Sequence, residues 1–211
     1  MNTPPFDDPA GTWNRRFASA GFLFGTAPNG WLERHARTTA GWASGQRVLS
    51  VADGEGRNSV WLAEQGLAVD AFDLAEAGVA KARALAAARG VHVNYALADA
   101  DRLVWPAALY DGVAAIFVQF ADPAMRARLF ARIVHCLVPG GTLVLQGYTP
   151  RQLEYRTGGP PCVDHLYTPQ MLRRAFGGLD ILALEEYEDE LAEGEGHRGR
   201  SALVGLVARK R

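Results

Sequence analysis

The chain has little that would staple, anchor or strongly charge it. Among its 211 residues only Cys136 and Cys162 are cysteines, too few for a disulfide framework, so a reducing cytoplasmic setting is expected. No apolar run approaches the roughly 18 residues that a membrane span needs. The opening MNTPPFDDPA has neither a basic n-region nor an apolar stretch, and a signal peptide is not expected there. Lysine is nearly missing: of 22 cationic residues only Lys81 and Lys210 are lysines. Excess charge is missing too, since 22 cations against 23 anions give a net charge of −1. That leaves no bulk basic field for nucleic acid and no polybasic membrane anchor. No His/Cys spacing suits a metal site. What is present is ordinary for a globular domain, with 48% hydrophobic and 21% charged residues.

Residues 1–10 are rich in Pro and Asp and are expected to be frayed. The remainder, 11–211, reads as a single domain. Residues 11–46 hold Trp13, Phe17, Phe22, Phe24, Trp31 and Trp42 without any strand pattern, which suggests a helical cap. A regular alternation then begins. Short apolar runs at 46–52, 67–72, 91–97, 111–120 and 142–148 read as strands. Helical stretches at 58–65 and 75–89, and a third opened by Asp122-Pro123, lie between them. Thr168-Pro169 starts another helix. Two late strands at 179–187 and 201–209 flank a polar, acidic, Gly-rich segment with no room for a crossover helix, so they are expected to pair antiparallel at a sheet edge. The sum is an α/β fold, a doubly wound, mostly parallel seven-stranded sheet. Its post-strand loops share one edge, where ligands bind.

Four segments on that edge carry chemistry. In the first loop, Gly54 and Gly56 precede a helix whose free N–H groups suit an anionic or polar ligand. A plain turn would need one glycine, hardly two. A dinucleotide fingerprint would place a third glycine where Ser59 stands. Asp73 closes the second strand about twenty residues on, where an acid accepts hydrogen bonds from ribose hydroxyls, though it would equally cap the next helix. Asp99-Ala100 after the third strand suits an adenine amino group and ring nitrogen, or is merely a polar helix start. The long loop 151–161 would form a lid or substrate wall. Trp105 reads as packing and His35 as surface.

Leu137-Val138-Pro139-Gly140-Gly141 before the fifth strand resolves these readings. With it, the chain from Trp13 to Ala208 resembles class I S-adenosylmethionine-dependent methyltransferases, above all the small bacterial tellurite-resistance and thiopurine types. Three further segments carry that resemblance: Gly25-Thr26-Ala27-Pro28-Asn29, Gly54 to Asn58, and Glu193-Gly194-Glu195-Gly196-His197-Arg198-Gly199. The resemblance implies a Rossmann-like methyltransferase fold and S-adenosylmethionine as cofactor. It implies that Asp53, Gly54 and Gly56 line the methionine and ribose, and that Asp73 binds the ribose with Leu74 against adenine. Asp99 and Ala100 would read the adenine, Gln119 would face the sulfonium, and Arg16 with Phe24 would close over the methionine end. His197 would take a proton from the acceptor and Arg200 would hold an anionic substrate; outside the family, His197 is an incidental residue of a solvated loop. The acceptor implied is a small molecule, a thiol or chalcogen oxyanion. Ser50 stands where the family has an acid, and Ala52 where it has the first glycine. A non-catalytic S-adenosylmethionine-binding module and a nicotinamide-dependent oxidoreductase are the rival readings.

Overall fold

The computed structural model describes residues 8–211. Of the segment expected to fray, 1–7 lie outside the described residues, while Asp8 to Ala10 are already ordered into a helix start. The Asp8 carboxylate accepts the Gly11 N–H at 2.9 Å and Pro9 fills the first helical position. In chain order the elements are α1 (Pro9–Phe17), α2 (Gly30–Ala36), β1 (Arg47–Val51), α3 (Arg57–Glu64), β2 (Ala68–Asp73), α4 (Glu76–Ala88) and β3 (Val93–Leu97). There follow β4 (Tyr110–Ile116), α5 (Pro123–Cys136), β5 (Leu137–Tyr148), α6 (Gln152–Tyr155), a 3-10 turn (Val163–His165), α7 (Pro169–Ala175), β6 (Leu179–Glu193) and β7 (His197–Lys210).

The strand order is β3-β2-β1-β4-β5-β7-β6, and β7 runs antiparallel to both its neighbours. This is the doubly wound, mostly parallel seven-stranded sheet that the alternation predicts, with the antiparallel pair at one edge. The order reverses between β1 and β4, so the crevice opens beyond the ends of those two strands. Helices cover both faces, which is why the central strands are apolar throughout. Val113, Leu143, Leu145 and Leu206 fill one face, and Val48, Val144 and Val207 fill the other. Each such side chain contributes about 1.5–3 kcal/mol by burial. Among the described residues no helix is long and apolar enough to cross a membrane.

Two departures from the expected boundaries matter to the site. Strand β4 stops at Ile116 rather than at residue 120, because Phe117 adopts φ +54° and turns the chain away. Residues 117–120 thereby become a wall of the crevice. The polar segment 188–200, expected as a loop, is instead a continuation of the hairpin: pairing runs without a break to Glu193↔His197 and leaves only a turn at 194–196. Its alternation is real but disguised. The even positions Glu190, Arg198 and Arg200 are exposed and Glu188 is half-buried beside Arg200, while Leu191 and His197 are buried.

Candidate functional site

The loop after β1 is built by its own side chains. Gly54 has φ +64° and Gly56 φ +94°, a region that favours glycine. A Cβ on Gly56 would lie 2.7 Å from Ala82 Cα, so that glycine serves the packing of α3 on α4. Asp53 is also turned inward. Its carboxylate accepts from Ser50 Oγ at 2.7 Å and from both the N–H and the hydroxyl of Ser59, whose hydroxyl also meets Tyr95. Burial pushes the Asp53 carboxyl above its usual range, and these hydrogen bonds oppose the push. Ser50, standing in the place of the family's acid, is therefore an anchor for Asp53. The loop offers a ligand Ala52, Gly54 and the backbone of Asp53 rather than a carboxylate.

The carboxylate on offer is Asp73. It accepts the Gly54 N–H at 2.9 Å and the Ala75 N–H at 2.8 Å. It thus ties the loop after β1 to the turn that leads into α4, holding the N–H of Ala75, the residue before that helix. Burial raises its pKa to about 6, against those hydrogen bonds. Beyond it, Leu74, Asp99 and Ala100 line a flat apolar slot. Trp105 donates to the Ala100 carbonyl at 3.1 Å and braces that loop from the core, as its packing role predicts.

Three adjoining cavities, of about 180, 90 and 280 Å³, run along the crevice and share Trp13 and Phe120 as walls. The first holds Leu74, Asp99 and Ala100; the second Asp73, Gly54, Arg57 and His197; the third Arg16, Phe24, Tyr148, Pro160, Pro161 and again His197. The 11–46 segment does cover the site, and the loop 151–161 does supply a wall.

His197 therefore sits where the second and third cavities meet. Its ring packs between Phe24 and Phe117, each at 4.3 Å between centroids, and is 8% exposed. Burial lowers its pKa although Glu193 pulls the other way, so the ring is neutral at pH 7. Nδ1 lies 3.5 Å from Glu193 Oε2, too long for a full hydrogen bond but close enough to orient the ring. Glu193 itself is shared. Arg57 Nη2 reaches its Oε2 at 2.7 Å and Asn29 Nδ2 its Oε1 at 2.9 Å. The Asn29 backbone N–H donates to Asn58 Oδ1 at 2.9 Å. Burial works against the Glu193 charge, but His197 and Arg57 outweigh it and hold the carboxyl down to about 2. The three separated segments around Asn29, Arg57-Asn58 and Glu193–His197 thus converge on one buried node. Arg57 and Glu193 were not foreseen as site residues, because 136 residues separate them and no spacing rule connects them.

Four other expectations come out differently or in part. Arg16 and Phe24 do lie over the crevice; the Arg16 guanidinium stacks on Trp13 at 4.4 Å and makes no ion pair among the described residues. Gln119 lines the third cavity, but its amide donates to the Tyr148 and His165 carbonyls and accepts the Tyr148 N–H. It brackets the end of β5 to the 3-10 turn while its side chain remains in the wall of that cavity. Arg200 does not reach the site. Strand parity places it on the face opposite His197, paired with Glu188 at 2.6 Å in solvent. His35 is buried rather than on the surface, stacked on Trp31 at 3.9 Å and bonded to Thr39. Among the described residues no group of His, Cys, Asp and Glu could hold a metal ion.

Fold and crevice define a class I methyltransferase fold, in which an acid-ended β2 and a glycine loop after β1 frame a ligand groove. Residues 48–141 match the family described as methyltransferase domain. An uncharacterised protein of Mycobacterium tuberculosis is 36% identical over 115 residues, 54% of this chain and 41% of its own. A demethylmenaquinone methyltransferase of Thermus thermophilus is 34% identical over 107 residues, 50% of this chain and 48% of its own. The match thus spans less than half the length of either relative. Among solved structures, the N-methyltransferase NodS of Bradyrhizobium japonicum, in complex with S-adenosyl-L-homocysteine, superposes with a TM-score of 0.72 over 97% of this chain and 99% of that one, at 16% identity. TehB of Haemophilus influenzae superposes with a TM-score of 0.68 over 96% and 67%, also at 16% identity. At such identities the likeness is one of fold.

Proposed function

We propose that the protein transfers a methyl group from S-adenosylmethionine to a small-molecule acceptor. One observation carries this reading: His197, a buried neutral base, lines both the cavity that contains Asp73 and the aromatic cavity beyond it. The residues fit the cofactor. The apolar slot suits adenine, Asp73 has lone pairs for ribose hydroxyls, and Gly54 has no Cβ to stand between loop and ligand. A Cβ on Gly54 would already lie 3.3 Å from Phe17. The S-adenosyl-L-homocysteine bound by NodS is consistent with the same ligand here. The oxidoreductase reading is disfavoured by Ser59, whose hydroxyl the loop uses to hold Asp53, and by the antiparallel β7.

The cofactor would supply a methyl group already activated on a sulfonium. The chain has to align the acceptor with it and exclude water. Trp13, Phe24 and Phe120 form the dry cover. His197 takes the acceptor's proton, with Glu193 orienting the ring. Gln119's amide is taken up by backbone, so among the described residues Arg16 brings charge and His197 a base to the aromatic cavity, with the Tyr148 hydroxyl as a further polar group in its wall. Such walls suit an acceptor with an apolar body and one ionisable sulfur or oxygen better than a bare chalcogen oxyanion, whose hydration they cannot replace.

The test is calorimetry with S-adenosylmethionine, S-adenosylhomocysteine and NAD, followed by methyl-transfer assays over thiols, phenols, amines and chalcogen oxyanions. Binding of the adenosyl ligands alone, with turnover on a thiol or phenol, is expected. Tight binding with no turnover on any acceptor would make the protein a binding module.

A further inference from the structure

The tip of the β6–β7 hairpin is packed backbone to backbone on the N-terminal cover, residues 8–24, and on Gly25 beside it. Gly196 donates its N–H to the Leu23 carbonyl at 2.9 Å, and the Leu23 N–H donates to Glu55 Oε2 at 2.7 Å. One residue of the cover is thereby bonded to the hairpin on one side and to the body on the other. The contact leaves no room for side chains on the tip. A Cβ on Gly194 would lie 2.5 Å from the Gly25 nitrogen and 2.6 Å from the Phe24 carbonyl carbon, both backbone atoms. The nearest atoms to a Cβ on Gly196 belong instead to side chains: the Phe24 ring, with Cδ1 2.7 Å away, and Leu23 Cγ at 3.2 Å. The next residue is His197, whose ring is held between Phe24 of the cover and Phe117 at the end of β4. The tip is itself fixed from below, since Glu193 is bonded to Arg57 at 2.7 Å and to Asn29 at 2.9 Å.

We infer that Gly194 and Gly196 are positioning residues, a socket for Leu23–Gly25 that completes the housing of His197 only when the cover is seated. Seating brings the Phe24 ring onto the base, so closing the crevice over a ligand and setting the base are one event. The seat is a property of the chain alone; that it readies a base for methyl transfer rests on the S-adenosylmethionine reading. Charged groups face the ring from three elements, Glu193 of β6, Arg57 of α3 and Arg16 of α1, with the Tyr148 ring of β5 edge-on. Of these, Arg16 alone belongs to the cover. Unseating takes away that charge and the Phe24 ring, both of which disfavour the imidazolium, and leaves Glu193, which favours it. The titration of His197 therefore reports the seat without any turnover.

The experiment follows two readouts on the unliganded chain. One is the ring titration of His197 by NMR, its signal being the one of five histidines lost in His197→Gln. The other is hydrogen exchange over residues 11–24 by mass spectrometry. In Gly196→Ala the His197 midpoint should rise toward about 6.5, and exchange over 11–24 should quicken about tenfold, with the sheet unchanged. Adding Phe24→Leu, which withdraws the ring from the new methyl, should bring exchange back to within about threefold of Phe24→Leu alone. Gly194→Ala should unseat the cover in the same way, and Phe24→Leu should not rescue it, because that methyl meets backbone. Lys81→Met removes the donor to the Ser19 and Gly21 carbonyls, away from His197, and should still raise the His197 midpoint. An unshifted His197 in either Gly196→Ala or Lys81→Met overturns the assignment. So does a Phe24→Leu rescue of both glycine variants or of neither, and so does faster exchange through the whole sheet. Should the glycine variants fail to fold, Lys81→Met decides alone. S-adenosylhomocysteine added to the wild type should slow exchange over 11–24. A wild type that does not bind it, while the variants behave as described, overturns the cofactor reading and leaves the seat standing.

Discussion

At the scale of single residues, burial decides what each acid and base does. Asp73 is the clearest case. Its folded pKa of about 6 lies above the ordinary 3.8, so the stability this group gives is present below the unfolded value and lost as pH rises through 6. Holding it ionised at neutral pH costs about 3 kcal/mol. Ribose hydroxyls donate to the ionised carboxylate, so an adenosyl ligand binds the form that folding disfavours. Affinity should therefore weaken below pH 6 by at most about tenfold per pH unit. Calorimetry at pH 5.5 in two buffers of different ionisation enthalpy should register proton release on binding. Asp73→Asn should bind more weakly and show neither effect; a wild type with pH-independent affinity would contradict this account. For His197, the lowered pKa makes the ring a base at pH 7. His197→Gln should lower turnover about 10²- to 10⁴-fold on an acceptor that must be deprotonated. On a thiol already ionised the loss should be much smaller, with cofactor affinity nearly unchanged in both cases. Gly56→Ala tests the opposite kind of residue. Strain at φ +94° and a Cβ 2.7 Å from Ala82 should cost about 2–4 kcal/mol in urea unfolding, while the ligand contacts stay as they were.

At the scale of elements, the β6–β7 hairpin is the part the site depends on and the part the sequence concealed. Strands β1, β2 and β4 announce themselves as apolar runs because helices bury both their faces. The far half of the hairpin has one face in water, and its alternation is written in Glu, Gly and Arg, which reads as a loop. The same disguise hid which way Arg200 points. The resemblance gave it an anionic substrate to hold, and with the strand unrecognised its parity was unknown. Gly54, Asp73, Asp99 and His197 could be singled out because each is a residue type with a chemical reading at a strand end or in a loop. Arg57 and Glu193 lie in segments that carry the resemblance but had no role there, since only the closed fold brings them to 2.7 Å. Their pairing has a measurable signature. The Glu193 carboxyl is held at about 2 against an ordinary 4.5, so its stabilisation is present above the unfolded value and lost as pH falls from 4.5 toward 2. The shift corresponds to about 3 kcal/mol. Glu193→Gln should unfold at lower urea than the wild type at pH 7, by an amount that shrinks toward zero near pH 2. A constant difference across that range would mean the ion pair contributes nothing specific.

At the scale of the whole molecule, the sheet and its cover are separable. The two large buried clusters on either face of the sheet draw nothing from residues 8–24, whereas Trp13, Arg16 and Phe24 from that stretch wall the crevice. The cover is held to the body by Phe17, buried against Gly54 and Gly78, by Asn14, which accepts the Ala77 N–H at 2.9 Å, and by a polar latch. Lys81 donates to the Ser19 and Gly21 carbonyls and pairs with Glu55 at 2.8 Å, and Glu55 accepts the Leu23 N–H at 2.7 Å. A chain beginning at Gly25 should therefore still unfold cooperatively, keeping Asn29 and Trp31 and with them the node and the core. It should lose the ligand. In the intact chain, S-adenosylhomocysteine at a hundred times its dissociation constant adds about 2.7 kcal/mol and should raise the melting temperature by about 5–10 °C. The shortened chain should show a melt of its own, lower by several degrees, and almost no shift with the same ligand. A shortened chain that keeps the full shift would remove the cover from the binding site. One that gives no cooperative melt would show that the cover belongs to the core.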